Sequence, residues 1–560
     1  MRGTPKPHVP LISKLQLFIA FSIVAYAIYF PAMTGEFIAD DVYYVQGNRY
    51  IQDLSLEHIG VIFDPFGALP RVVENYAPVH LLLHGIAWQA FGPDVRGHHL
   101  VNTAMHALAA FLLVALFRRT GIPSLAAVLG GAFFLVHPAN VEAVAWINQL
   151  KTTSAMVLCV GAILMHPRRP AIAAILFGLA LLAKPTAAAA LFFVVALGLA
   201  RATAPSAGAR DVDESEDSDA VPRDWHWRWL AVWGVLLAVF AVPEFWAFGQ
   251  TAGQHKVAEP DAVLRLGTTL TVAARYVAMA TTAFGLSVFQ EPDSPVSLLD
   301  PWLLASLPLL AVLGWRAVTT LRNRSVEGAY WVWAAASFAP VCGFIPLPHA
   351  IADRYLYFIL PGFIGGTLLA GDALLRRADA PALRTRVERV SIGLAVLWIG
   401  VFGVASHLRA FVWTSQQTIV ADVIAHYPNG RWASAELAAR AAEAGDAERA
   451  VNLLRAARER GFDELDLLLA PRYAAIATDA EFVDLKREIA AAWVARVSAI
   501  REPSQSDLMV AVQAYIVLGQ FEDARANLQR AIYIGGPMTD HLYDALDRLQ
   551  TVERAQAAKR

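Results

Sequence analysis

The stretch "HLVNTAMHALAAFLLVALFRRTG", His99 to Gly121, has no Asp, Glu, Lys or Arg over residues 99–117 and then ends in two arginines. A bilayer crossing needs about 20 mostly apolar residues. Lys and Arg in short loops mark the cytoplasmic side. The stretch therefore reads as a transmembrane helix whose C-terminal end, Arg118–Arg119, lies inside. The same pattern recurs near 15–34, 122–137, 152–166, 170–184, 186–201, 227–248, 301–317, 328–346, 355–375 and 389–411. The other basic loops are "RGTPKPH", "HPRRP", "RAVTTLRNR" and "RRADAPALRTRVER". With all of them cytoplasmic, about eleven spans alternate consistently. The N-terminus is then inside, and the segment after residue 412 is outside.

Composition agrees with this class. The chain has 560 residues, of which 56% are hydrophobic and 17% charged, against about 25% charged in soluble domains. Its mean hydropathy is +0.44. No basic stripe interleaved with aromatics points to nucleic acid. Cys159 and Cys342 both lie in apolar runs and read as small hydrophobes. The basic start "MRGTPKPHVPLISK" lacks a small-residue cleavage pattern and reads as the lead-in to an uncleaved first helix.

Two apolar stretches do not fit the alternation as spans. "APVHLLLHGIAWQAFG" (77–92) holds Pro78, His80, His84 and Trp88, and reads as a helix lying in the outer interface. "RLGTTLTVAARYVAMATTAFGLSVF" (265–289) must begin and end outside, as an interfacial or re-entrant helix. The acidic run "GARDVDESEDSDAVPRD" (208–224) reads as a solvated cytoplasmic linker.

The external loops then collect the polar chemistry. "FIADDVYYVQGN" (37–48) carries Asp40 and Asp41. Arg71, Glu74, Tyr76 and His80 follow in the same long loop, and "HPANVEAVAWINQLK" (137–151) brings His137 and Glu142. Adjacent acids in a loop have a plain explanation, since Asp40 can cap the next helix. The chemical explanation makes one of them a general base and the other a cation ligand, for a divalent ion, or an orienting group. Arg354 and His349, beside a span end, are placed to hold a phosphate. Lys184, between two apolar runs, either snorkels to headgroups or contacts the same phosphate. His137, before Pro138 at a span end, suits a capping role better than a metal. There is no zinc spacing, P-loop or nucleophile elbow.

After residue 416 the chain becomes rich in Ala, Arg and Glu with helical periodicity. "AELAARAAEAGDAERAVNLLRAARERGF" and "DLMVAVQAYIVLGQFEDARANLQRAIYIGG" both read as helix, Gly-centred turn, helix. This predicts a short tetratricopeptide-like solenoid over 416–560, beside a membrane domain over 1–412.

"FIADDVYYVQGN", "YAPVHLLLHGIAW", "LVHPANVEAVAWINQLKTT", "LLAKPTAAAALFFVV" and "PHAIADRYLYFILPGF" occur in this order. Together they resemble the transmembrane and tetratricopeptide-repeat O-mannosyltransferases, within the glycosyltransferase C superfamily. The resemblance implies an all-α polytopic fold of that type and a polyprenyl-phosphate sugar donor. It also implies inverting transfer of a hexose, mannose first, to a Ser or Thr of an exported protein held by the repeat domain. By that likeness Asp41 or Asp40 is the base, with Asp41 preferred. Glu142 is the second acid, Arg354 the phosphate contact, Lys184 the "KP" lysine, and His80 a group near acceptor or phosphate. Two departures stand out. "YAP" (Tyr76–Pro78) replaces the usual "YRP", for which Arg71 is a substitute, and the repeat tail is short. Competing readings keep the fold with a glycolipid or cell-wall acceptor, or make the chain a lipid-linked sugar flippase or a scaffold. Composition and compact loops suggest a bacterial inner membrane, with the active site and C-terminal region periplasmic.

Overall fold

The computed structural model describes residues 13–73, 75–202, 225–251, 262–292, 297, 299–343, 349, 351–377 and 380–557. Glu74, the acidic run 208–224, the start of the chain and most of the loop before Ile351 lie outside the described residues. Among the described residues there is no β-strand, only an isolated bridge between Gln290 and Ile351.

The helices start where the sequence offers caps. Ser13 accepts from the Gln16 N–H in a reciprocal capping box, Asp94 accepts from the Arg96 N–H, and Asp300 accepts from the N–H groups of Trp302 and Leu303. Each satisfies donors that a helix start leaves unpaired. Six helical segments are long and apolar enough to cross a membrane: Val95–Arg119, Ile147–Met165, Trp227–Gly249, Pro301–Arg322, Asp353–Arg376 and Pro381–Trp413. Six of the expected spans fall on these, and the one at 328–346 starts on Val326–Phe338. The expected spans at 15–34, 122–137, 170–184 and 186–201 appear as the shorter apolar helices Lys14–Tyr29, Ser124–Val136, Pro170–Leu181 and Pro185–Arg201.

Burial divides these helices into an inner and an outer set. The apolar window of Ile147–Met165 is 78% buried, whereas that of Pro381–Trp413 is 11% buried at equal or greater hydropathy. On the outer helix Leu394, Leu397, Val401, Val404 and Leu408 are all exposed. A contiguous apolar surface of this kind is stable against lipid and not against water. The chain is an integral membrane protein.

Small residues set the close approaches inside the bundle. A Cβ on Gly362 would stand 2.5 Å from the Ala334 nitrogen and 2.6 Å from the Tyr330 oxygen, so Leu356–Arg376 lies directly on the backbone of Val326–Phe338. Phe177 stacks flat on Trp233 at 4.3 Å, joining Pro170–Leu181 to Trp227–Thr251. At one end of the bundle the first long loop folds into short helices with their own core of Tyr44, Val45, Ile51, Ile62, Leu69, Val73 and Leu81. Pro78–Phe91 forms here, over the expected 77–92 stretch.

The C-terminal segment is helical throughout. Arg431–Glu443 and Ala447–Glu459 form one hairpin, and Gln505–Leu518 and Phe521–Ile534 another. Gly445 (φ 78°) and Gly519 (φ 75°) end the first helix of each hairpin in the left-handed region that favours glycine. The first helix after the membrane, Gln416–His426, shares its core with the membrane helices through Ile419 and Val423. Arg409 binds that seam from below, 2.7 Å from Asp353 and 3.4 Å from Asp422.

Candidate active site

The turn that presents the acid pair is shaped by Ala39, whose φ of 49° is rare for a residue with a Cβ. That bend sends the two neighbouring side chains into different surroundings. Asp41 is fully buried. Its Oδ2 accepts from the Ile38 N–H at 3.2 Å, and its Oδ1 accepts from the Asn148 N–H at 2.7 Å. Burial pushes its carboxyl well above the usual carboxylate range, against the pull of those two N–H groups. Asp40 is exposed, and its Oδ2 accepts from Asn148 Nδ2 at 3.4 Å. The expected preference for Asp41 as base thus meets a carboxyl whose two oxygens are already engaged, while the carboxylate of Asp40 faces outward.

Asn148 belongs to the second loop, so both acids are tied to it. That loop is built by Asn102, whose Nδ2 donates to the carbonyls of Val144 at 2.8 Å and Trp146 at 3.2 Å. The next helix then places Lys151 with its Nζ 5.0 Å from the centre of the Tyr44 ring. Lys151 interacts electrostatically with Asp40, Arg354, Glu244 and Asp41. It stands inside the quoted "INQLKTT" run, yet a lysine one turn into an apolar helix gave no separate signal. Glu244, beside Pro243 within Trp227–Thr251, is a second residue the sequence reading missed. Its Oε2 accepts from the Tyr76 N–H at 2.9 Å, so an acid sits inside one of the expected spans.

Glu142 and Arg354 meet across 212 residues of chain. The Arg354 N–H donates to Glu142 Oε2 at 2.7 Å and its guanidinium to Oε1. Glu142 is 1% exposed and Arg354 11%, so the pair is largely buried. The guanidinium also lies 5.0 Å over the Tyr355 ring and 5.5 Å over Trp146. Both Glu142 oxygens are thus taken by Arg354. Among the described residues no group of three or more His, Cys, Asp or Glu is disposed to hold a metal ion. With Asp41 also engaged, the donor set does not fit a divalent cation, and no step is routed through one.

Lys184 reaches the same region from between two helices. Its Nζ donates to Thr152 Oγ1 at 2.6 Å, one residue from Lys151, and it interacts with Lys151, Arg354 and Glu142. His80 is buried, 5.6 Å from Tyr44 and 4.6 Å from His84 by ring centres.

Four expected site residues are engaged elsewhere. Arg71 pairs with Glu502 at 3.1 Å and lies over Trp246 at 5.0 Å, so it ties the loop to the C-terminal helices instead of replacing the missing "YRP" arginine. The Tyr76 hydroxyl donates to the Phe63 carbonyl. His137 bonds the Ala280 carbonyl and accepts from the Ala139 N–H. The His349 ring stacks on Phe289, which stacks on Trp432 of the C-terminal segment.

The chain resembles a curated glycosyltransferase. It is 32% identical over 129 residues to the protein O-mannosyl-transferase Tmtc1 of Drosophila melanogaster. The match spans 22% of this chain and 15% of that relative's length. A solved structure, the archaeal oligosaccharyltransferase AglB of Archaeoglobus fulgidus with an inhibitory peptide and a dolichol-phosphate, aligns at 15% identity with a TM-score of 0.38. That alignment covers 71% of this chain and 56% of the other. No family model matches the chain.

Proposed function

We propose that this protein is an integral-membrane, inverting glycosyltransferase. It moves a hexose, mannose in the first instance, from a polyprenyl phosphate to a hydroxyl of a Ser or Thr in an exported polypeptide. The observation that carries this is the gathering of Asp40, Lys151, the Glu142–Arg354 pair and Lys184 from four separate parts of the chain at one end of the bundle.

Asp40 is the base. Its carboxylate takes the proton of the acceptor hydroxyl as that oxygen bonds to the anomeric carbon. The bond from that carbon to the phosphate oxygen breaks, and the electron pair leaves on the phosphate. A phosphate leaving group needs no acid when cations meet its charge, and Lys151, Arg354 and Lys184 supply them. Asp41 holds the first loop against the second and so aims Asp40. Glu142 fixes Arg354 without cancelling the cluster's net positive charge.

In this reading eleven helices cross a bacterial inner membrane, the N-terminus is cytoplasmic, and the site and C-terminal segment are periplasmic. Residues 1–412 form the transferase domain, and 416–560 form a tetratricopeptide-like domain that holds the acceptor chain. The test is reconstituted protein given synthetic polyprenyl-phosphate mannose, glucose and galactose with a Ser/Thr-rich peptide. Labelled sugar on the peptide, with inverted anomeric configuration, is expected for one donor. No consumption of any of the three donors by folded protein would overturn the reading.

A further inference from the structure

The C-terminal segment leaves the membrane domain and comes back to it. It departs beside Glu36, whose N–H donates to the Thr414 carbonyl at 3.1 Å and whose Oε1 accepts from the Gln416 N–H at 3.1 Å. A little further on, Arg431 pairs with Glu291 at 2.7 Å and Trp432 stacks on Phe289. The far end of the segment returns to the first loop. Arg49 pairs with Asp540 at 2.9 Å, and its N–H donates to the Pro537 carbonyl at 3.5 Å. Arg71 pairs with Glu502 at 3.1 Å. A Cβ on Gly47 would stand 2.8 Å from Met538 Sδ, so Met538 lies directly on the loop backbone.

The turn that carries Asp40 lies between these two landings, after Glu36 and before Gly47. Asp40, Val42 and Tyr43 all stay exposed there, Tyr43 by 54%. Tyr43 interacts electrostatically with Asp40 on its own loop, and with Glu464 and Asp466 from the middle of the C-terminal segment. The segment thus faces the turn without covering it. A helical solenoid is held by contacts between neighbouring repeats. Its stability does not require the last helices to land on the loop from which the first depart.

Chain geometry bounds the opening. Glu36 and Gly47 are joined through the helical turn Val42–Gln46. At about 3.5 Å per extended residue and about 1.5 Å per helical one, they stand at most about 30 Å apart. Flanking helices of about 10 Å diameter leave about 20 Å clear. An extended strand with its side chains is about 10 Å across. A domain of about 100 residues, with a radius of gyration of about 13 Å, is about 34 Å across. The strand passes and the domain does not. Resting on the transferase reading above, we infer that the C-terminal segment closes an arch over Asp40, and that the acceptor is an extended, unfolded stretch of polypeptide passing beneath it. A Ser or Thr displayed on a folded domain is excluded.

The test gives the full-length reconstituted protein the three donors named above and one acceptor in two states. The acceptor is a small disulfide-bonded domain carrying a Ser/Thr-rich loop, either folded or reduced and alkylated. The unfolded state should be preferred by at least about tenfold in kcat/KM, because the folded state must first open locally. Arg49→Glu with Arg71→Glu sets like charges against Asp540 and Glu502 and should narrow that preference to about threefold or less by raising the rate on the folded state. Adding Asp540→Arg and Glu502→Arg should restore it. If the reversed variants do not fold, the two acceptor states with wild type carry the test alone. Equal transfer to both states by wild type would overturn the arch and leave the transferase reading standing. An unchanged preference in the folded Arg49→Glu/Arg71→Glu variant would also overturn it. No transfer from any donor would overturn both together.

Discussion

Asp40 and Asp41 differ by one position in sequence and by opposite consequences on amidation. In Asp40→Asn the side chain is exposed, and its one described hydrogen bond, at 3.4 Å to Asn148, is long. Stability should change by well under about 1 kcal/mol. Loss of a general base removes a factor of about 10² to 10⁴ in rate, so kcat should fall by that much while the protein melts as before. In Asp41→Asn one of the two oxygens becomes an NH₂ group that faces an N–H of Ile38 or Asn148. A buried donor left without its acceptor costs about 1–3 kcal/mol. Burial already favours the uncharged form of this carboxyl, so no further penalty for losing an ion is expected. The melting temperature should drop, and the rate should fall only as far as the loop loosens. Sugar transfer from the polyprenyl-phosphate donor and thermal unfolding of the same purified samples separate the two effects. Asp40→Asn keeping more than about a tenth of wild-type turnover, or Asp41→Asn losing turnover with unchanged melting, would refute the assignment of Asp40 as base.

Three further outcomes are expected. Glu142→Gln and Arg354→Gln each break a pair that is largely buried, at a cost of about 3–5 kcal/mol. The double variant should recover part of that in thermal melting, and strict additivity would show that the pair is not coupled. In the proposed reaction, Lys151→Gln and Lys184→Gln each remove a cation that would face the leaving phosphate. A charge-assisted bond of about 1.5–3 kcal/mol predicts a loss of about 10- to 100-fold in kcat/KM, and unaltered kinetics in both would remove these lysines from the mechanism. In the C-terminal segment, burial and then Asp466 and Asp463 push the Glu464 carboxyl up to about 7. An acid raised in the fold contributes stability below its unfolded pKa, near 4.3, and loses it as pH rises through about 7. Melting measured from pH 4 to 8 should therefore fall more steeply in the wild type than in Glu464→Gln, and parallel curves would show that Glu464 does not titrate there.

Much of the architecture was legible because it follows from length and period. An apolar run such as 99–117 has few ways to fold other than a buried or lipid-facing helix, and Gly445 and Gly519 mark hairpins because few other residues tolerate positive φ. The site was legible in part. Asp40, Glu142, Lys184 and Arg354 sit in quotable motifs, and each reaches one end of the bundle. What the sequence did not carry was their pairing. The approach of Glu142 to Arg354 spans 212 residues, and no local pattern encodes it. The different fates of Asp40 and Asp41 depend on the positive φ of Ala39, a conformation that alanine does not advertise. Glu244 and Lys151 were hidden by their surroundings, since a hydropathy window averages a single charge away.

Arg409 divides its guanidinium between Asp353, next to Arg354, and Asp422, in the first helix beyond the membrane. Asp422 in turn accepts from Ser287 Oγ at 3.1 Å and the Val288 N–H at 2.9 Å. A soluble fragment cut to start at residue 416 would lose all three of these partners of Asp422, keeping the neighbouring His426 at 3.4 Å, and a membrane fragment ending at 412 would leave Arg409 with one carboxylate where it now has two. The change of composition near 412 is thus a poor place for scissors. A pull on the C-terminal helices, as from a taut polypeptide lying across them, would reach the turn that carries Arg354 in part through the Arg409 guanidinium.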